Sequence, residues 1–190
     1  MMHKDLLLGI DVGTTGTKCS VYDFNGKRVA SAYREYPMLH PRPGWTEQDP
    51  SRWWDAVCCN LQTIFQSQDI DKNRIAAVGT SSTNAVFLAD RQGQPLCNAI
   101  SLHDQRSGPQ VEWLKENIGE ERIRGVAANR IANGSFSLPA LRWLVENRPD
   151  LIKGAHKLMV PCGYVIQKLT GEFTMNRPRM SLTLMADIRT

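Results

Sequence analysis

The run Asp11-Val12-Gly13-Thr14-Thr15-Gly16-Thr17-Lys18 concentrates, in eight residues, the groups that handle phosphate. Glycines let main-chain N–H groups approach an anion, the Thr14 and Thr15 hydroxyls can donate to phosphate oxygens, Lys18 adds a cation, and Asp11 can hold a hydrated Mg²⁺ that bridges them. The run sits between two strands rather than before a helix, so it is neither the Walker phosphate loop nor a dinucleotide fingerprint. Spacing alone leaves a second reading equally open, an ordinary Gly-Thr turn capped by Asp11 with a solvated Lys18.

Such a turn needs strands on either side. Leu6-Leu7-Leu8-Gly9-Ile10 is continuously apolar and predicts a central strand buried on both faces. Thr17 to Phe24, the Asn25-Gly26 turn, and Arg28 to Tyr36 continue it into a three-stranded antiparallel meander. Pro37 to Gly44 carries three prolines and predicts an irregular loop. Asp49 as N-cap and Pro50 in the first turn then open a helix with Trp54, Val57, Cys58, Leu61 and Phe65 on one face. Ile75–Gly79 is expected as the next buried strand and Ala85–Ala89 as the one after it, closed by the turn Asp90–Gln94. The resulting order is βββαββ, one mixed five-stranded sheet of an α/β fold. Helices predicted over Pro109–Asn117, Glu120–Ala128, Leu138–Asn147 and Gly163–Leu169 flank it.

The whole-chain figures exclude several classes. With 190 residues, 42% of them hydrophobic and 22% charged, the chain suits a soluble globular fold and not a disordered, collagenous or coiled-coil one. The formal charge of +4, from 23 Lys and Arg against 19 Asp and Glu, is spread out. The densest basic stretch, Asn176-Arg177-Pro178-Arg179, holds only two cations, so no nucleic-acid partner is expected. Five cysteines, an odd number without a C-x-x-C pair, read as buried thiols of a reducing compartment. Leu6-Leu7-Leu8 is too short for a signal peptide or a membrane span, which makes a cytoplasmic chain without membrane attachment the expectation.

The Asp-x-Gly-Thr-Thr-x-x-Lys pattern from Asp11 to Lys18 resembles the phosphate loop of the FGGY carbohydrate kinases. Pro43-Gly44-Trp45-Thr46-Glu47-Gln48-Asp49-Pro50-Ser51-Arg52-Trp53-Trp54 is similar to the run that many members carry before their first helix. Leu102-His103-Asp104-Gln105-Arg106 resembles the Trp-Asn-Asp-x-Arg segment of xylulokinases, and Phe136-Ser137-Leu138-Pro139-Ala140-Leu141-Arg142-Trp143 resembles their Phe-Thr-Ala-Pro-Lys-Leu-x-Trp. Four motifs in order cover most of the chain.

What the resemblance implies is a ribonuclease-H-like domain of the actin and hexokinase type. Residues 1–190 would then be the N-terminal, sugar-binding and phosphate-loop domain of a two-domain kinase. The ATP-binding domain and the general base would lie beyond Thr190, so this piece alone would be inactive. The implied reaction transfers the γ-phosphoryl group of ATP, with Mg²⁺, to a hydroxyl of a small ketose or polyol, and a pentulose such as xylulose fits best. Asp11 would position Mg²⁺ through water, and Gly13, Thr14, Thr15 and Lys18 would take the phosphate. Ser82, Thr83, Asn84, His103, Asp104, Arg106 and Phe136 would contact the sugar. Asp104 with Arg106 reads equally as a surface ion pair worth about 0–1 kcal/mol, and Trp54 as core packing. Departures are also visible: Ser81-Ser82-Thr83-Asn84-Ala85 stands where glycerol kinases have an Arg-Glu pair and xylulokinases a Gln-Met-His-Gly, and Ser135 replaces an aromatic of glycerol kinases. A non-catalytic sugar-binding or regulatory relative is the alternative, and the oligomeric state is open, a homodimer among the possibilities.

Overall fold

The computed structural model describes residues 4–134 and 136–189, which form two compact units, one from residues up to Pro37 with Pro50–Thr83 and one from Met38–Asp49 with residues from Asn84 on. In chain order the elements are β1 (Leu6–Val12), β2 (Gly16–Asp23), β3 (Arg28–Glu35), β4 (Glu47–Gln48), α1 (Pro50–Gln62), β5 (Ile75–Ser82), β6 (Ala85–Ala89) and β7 (Ala99–Ser101). There follow α2 (Gly108–Asn117), α3 (Glu120–Ala127), α4 (Ser137–Asn147), α5 (Pro149–Gly154), β8 (Lys157–Met159), α6 (Pro161–Thr170) and α7 (Arg177–Thr183). No helix among the described residues is long and apolar enough to cross a membrane.

The first unit is a mixed four-stranded sheet in the order β3-β2-β1-β5. The predicted meander is there, β1 antiparallel to β2 and β2 to β3, while β5 runs parallel to β1. Strand alternation sends Leu6, Leu8, Ile10 and Val12 of β1 and Cys19 and Val21 of β2 inward. The helix α1 lies against β2 and β3. Its inward face is Trp53, Ala56, Val57 and Asn60; of the expected Trp54, Val57, Cys58, Leu61 and Phe65, only Val57 is fully buried. Trp53 is fully buried, Cys58 is exposed, and the polar Asn60 points into the core because it donates to the Thr17 carbonyl at 2.9 Å. Apolar periodicity cannot find a face that turns on a buried amide.

The strand β5 is the other departure. It was expected to be buried, but as the edge of its sheet it leaves residues 76–79 exposed, Val78 at 48%. The fifth strand assigned to this sheet, β6, belongs instead to the second unit.

That unit is built on a four-stranded antiparallel sheet in the order β4-β7-β6-β8. All of β6 is buried, with Val86 and Leu88 packed with Ile100 against Ala140 and Leu144 of α4, and Phe87 edge-on to Tyr164 of α6 at 5.5 Å. A second cluster joins Val111 and Leu114 of α2, Ile123 and Ala127 of α3, Ile131, Phe136 and Leu184. All five cysteines are free thiols, but only Cys19 and Cys162 are buried, contrary to the expectation for the set.

Candidate functional site

The Asp11-to-Lys18 run folds as a tight turn between β1 and β2, closed by Gly13 N–H donating to the Gly16 carbonyl at 2.9 Å. Antiparallel register sets Asp11 opposite Lys18, and parallel register sets Asp11 opposite Ser81. The Ser81 hydroxyl donates to Asp11 Oδ1 at 2.5 Å. One carboxylate, one ammonium and one hydroxyl therefore share three adjacent strands. They line an open groove of about 480 Å³ floored by Gly9, Gly79 and Ser20.

The turn is tied to the end of β5. The Thr83 N–H donates to the Val12 carbonyl at 2.7 Å, and the Thr14 and Thr83 hydroxyls meet at 3.0 Å. Of the residues read as sugar contacts, Thr83 thus braces the phosphate turn, and Ser82 donates to the Thr83 carbonyl at 3.0 Å.

Tyr36, the residue directly after β3, closes on the turn. The Tyr36 N–H donates to the Thr15 carbonyl at 3.2 Å, and its hydroxyl donates to the Gly13 carbonyl at 2.7 Å and meets Thr17 Oγ1 at 3.3 Å. Burial pushes the Tyr36 phenol from 10.0 up to about 12, against the lowering pull of Thr17, so it stays a donor through any physiological pH. Burial likewise pushes the Cys19 thiol up to about 12, which keeps it a neutral packing group. A Cβ on Gly16 would run into the Tyr33 ring and stand 2.7 Å from the Arg34 carbonyl, so the turn closes this tightly only around glycine.

The remaining candidates lie in the second unit. Asn84 opens β6 with its carbonyl accepting from Leu102 N–H at 3.0 Å. His103 is exposed and lines an open groove with His40, Trp45 and Thr46. Asp104 and Arg106 are not the surface pair their residue types allowed, since their side chains are 1% and 4% exposed. Arg106 binds Asp104 through Nε at 2.9 Å and Nη2 at 2.8 Å, and Nη2 also reaches Glu47 at 2.7 Å. Asp104 Oδ2 accepts from Thr46 N–H at 2.7 Å, and the guanidinium stacks 3.7 Å from the Trp45 ring centre with Trp143 at 5.1 Å.

Both carboxylate oxygens of Asp104, and Nε and Nη2 of Arg106, are thus turned to protein partners around the Trp45 segment. Phe136 is 6% exposed within the α2–α3 cluster, so its ring packs the core. Ser135 lies outside the described residues.

Three supporting residues escaped the sequence reading: Ser81, Tyr36 and Asn60. Ser81 becomes meaningful only once the parallel register places it beside Asp11. Tyr36 and Asn60 carry the signal of a polar group in an apolar setting, which a linear sequence cannot display. The donor set at Asp11 suits hydrated Mg²⁺, since a single carboxylate among hydroxyls offers hard oxygen and no cage. Among the described residues no group of three His, Cys, Asp or Glu side chains could hold a metal directly.

Comparison with known proteins adds the following. The family model described as FGGY family of carbohydrate kinases, N-terminal domain, matches residues 6–190. A glycerol kinase of Thermococcus gammatolerans is 31% identical over 188 residues, covering 96% of this chain and 38% of its own length. A xylulose kinase of Staphylococcus xylosus is 30% identical over 184 residues, with the same two shares. Among solved structures, a gluconate kinase from Lactobacillus acidophilus superposes with a TM-score of 0.87 at 28% identity, covering 97% of this chain and 37% of that one. The chain thus spans well under half the length of these relatives.

Proposed function

Because the chain belongs to the FGGY family of carbohydrate kinases, we propose that residues 1–190 form the N-terminal, sugar-binding and phosphate-loop domain of an ATP-dependent cytoplasmic kinase. It transfers the γ-phosphoryl group to a hydroxyl of a small ketose or polyol, a pentulose such as xylulose being the first substrate to try. The observation that carries this reading is the register of Lys18, Asp11 and Ser81 around one groove, at the mouth of a Gly-Thr-Thr turn.

Phosphoryl transfer asks a protein mainly for positioning and charge neutralisation. Lys18 supplies a cation for the phosphate, and the Thr14 and Thr15 hydroxyls supply donors, Thr14 being steadied by Thr83. Asp11, oriented by the Ser81 hydroxyl, would hold Mg²⁺ through water. When bound, Mg²⁺ would neutralise the charge that builds on the transferring phosphate. Among the described residues Asp11 is the one carboxylate lining the groove, and the group that takes the proton of the sugar hydroxyl is proposed to belong to the part of the kinase beyond this domain. Ser82, Asn84 and His103 are the proposed sugar contacts, and the Asp104–Arg106–Glu47 cluster holds the Trp45 segment in place.

Substrate choice is open among relatives named for glycerol, xylulose and gluconate. Ser81-Ser82-Thr83-Asn84-Ala85 carries neither the Arg-Glu pair of glycerol kinases nor the Gln-Met-His-Gly of xylulokinases, so the pentulose is the first substrate to try on the strength of the Asp104-x-Arg106 and Phe136–Trp143 segments. The test is ADP release by the complete protein against pentuloses, hexuloses, pentitols and glycerol. One sugar that strongly stimulates release supports the reading and names the substrate. Sugars that bind without stimulating any release replace it with a non-catalytic sugar-binding relative.

A further inference from the structure

We propose that Tyr36 is a positioning residue for the phosphate turn, its buried hydroxyl setting the orientation of the Gly13–Thr14 peptide. The inference rests on the kinase reading above. Tyr36 stands directly after β3 and holds the turn at two points, through its own N–H to the Thr15 carbonyl and through its hydroxyl to the Gly13 carbonyl at 2.7 Å. A peptide unit is planar and, here, trans, so its carbonyl and N–H point in opposite directions. A Gly13 carbonyl drawn toward the phenol therefore aims the Thr14 N–H away from it. With one hydrogen bond, Tyr36 fixes the plane of the peptide that begins the Thr14-Thr15 pair.

The other ties of the turn act on either side of that plane, Gly13 N–H donating to the Gly16 carbonyl and the Thr14 hydroxyl meeting Thr83, whereas the Tyr36 hydroxyl takes the Gly13 carbonyl itself. Gly13 has no side chain to anchor it, and the strand β1 ends one residue before. Tyr33, two pairs along β2–β3 and half exposed, stands against Gly16 on the outer face, while buried Tyr36 holds Gly13 from the inner one. Tyr36 is only 8% exposed and does not line the groove, which makes it a residue that acts through the turn. Positioning dominates phosphoryl transfer, and a displacement of about 1 Å can cost on the order of 100-fold in rate.

The test uses the complete protein and Tyr36→Phe, which keeps the ring and removes the donor. The expected result is a fall in kcat of about tenfold or more with an unchanged KM for the sugar. Thr17→Val serves as the control: it removes the other partner of the phenol but leaves the bond to Gly13, and should keep kcat within about twofold. An active wild type with Tyr36→Phe at wild-type kcat overturns the inference alone. So does an equal loss from Thr17→Val, which would mean general packing beneath the turn. A Tyr36→Phe protein that fails to fold also overturns it, since the hydroxyl would then serve the fold. A wild type inactive with every sugar sinks the kinase reading, and this inference with it.

Discussion

Asp11 and Ser81 face each other across the parallel β1–β5 pair, 70 positions apart in sequence, and the serine hydroxyl donates to the aspartate carboxylate. A parallel pairing has thus assembled a carboxylate whose orientation is set by a strand other than its own. In the proposed kinase, Asp11→Asn should lower turnover at least about 100-fold, as loss of a transition-state electrostatic contact does. Ser81→Ala should cost about tenfold or less, because it removes one hydrogen bond and leaves the charge. Steady-state ADP release across a Mg²⁺ titration checks both, and an Asp11→Asn enzyme at wild-type rate rules out the assigned role.

Asn60 is 2% exposed and gives its amide hydrogen to the Thr17 carbonyl beneath the turn. Asn60→Ala leaves that interior carbonyl without this donor, at a cost of about 1–3 kcal/mol. Urea unfolding should show the loss, and a variant as stable as wild type would mean that water replaces the amide.

Arg106 lies between two carboxylates at 4% exposure. Arg106→Ala would leave Asp104 and Glu47 as adjacent like charges in the interior and should destabilise by about 3–5 kcal/mol. Arg106→Lys should recover only part of this, since an ammonium can reproduce neither the bidentate grip on Asp104 nor the stacking on Trp45. Urea midpoints of the two variants, compared with wild type, decide the matter.

Stability should fall on the alkaline side. Burial raises Cys19 from 9.0 and Tyr36 from 10.0, each to about 12. An unfolded chain sheds these protons as the pH passes 9 and 10, while the folded chain keeps them until about 12, so the folded state binds more protons in between. Stability from these groups is intact below pH 9 and declines between pH 9 and 12. Unfolding free energies measured across that window should slope downward, and Tyr36→Phe should flatten the part above pH 10.

What the sequence revealed divides along a physical line. The hairpin, its turn and the loop before α1 were legible, because Gly, Pro and Asn act locally and apolar runs mark strands wherever they pair. Register was not legible. That Asp11 meets Ser81, that β6 leaves the first sheet for the second, and that β5 lies at an edge are decided by pairing between distant segments. The shift of the α1 face toward Trp53 and Asn60 has the same origin, a polar side chain satisfied by a carbonyl of another strand. Asp104 and Arg106 were found by residue type, yet only the fold discloses that they are interior and bound to each other.

The strand β5 has a practical consequence for anyone handling the isolated 190-residue chain. From Ile75 to Ser82 it carries neither a charge nor a proline, its outer edge is unpaired within its sheet, and its middle is exposed. Natural sheets interrupt such borders with lysine, proline or a bulge; the one irregularity of β5 lies at its start, where the register slips past Ala76, and the stretch from Ala77 on is left able to recruit other chains. Concentrated stocks should therefore turn cloudy sooner than the net charge of +4 suggests, and a lysine introduced at Val78 should extend the time for which they stay clear.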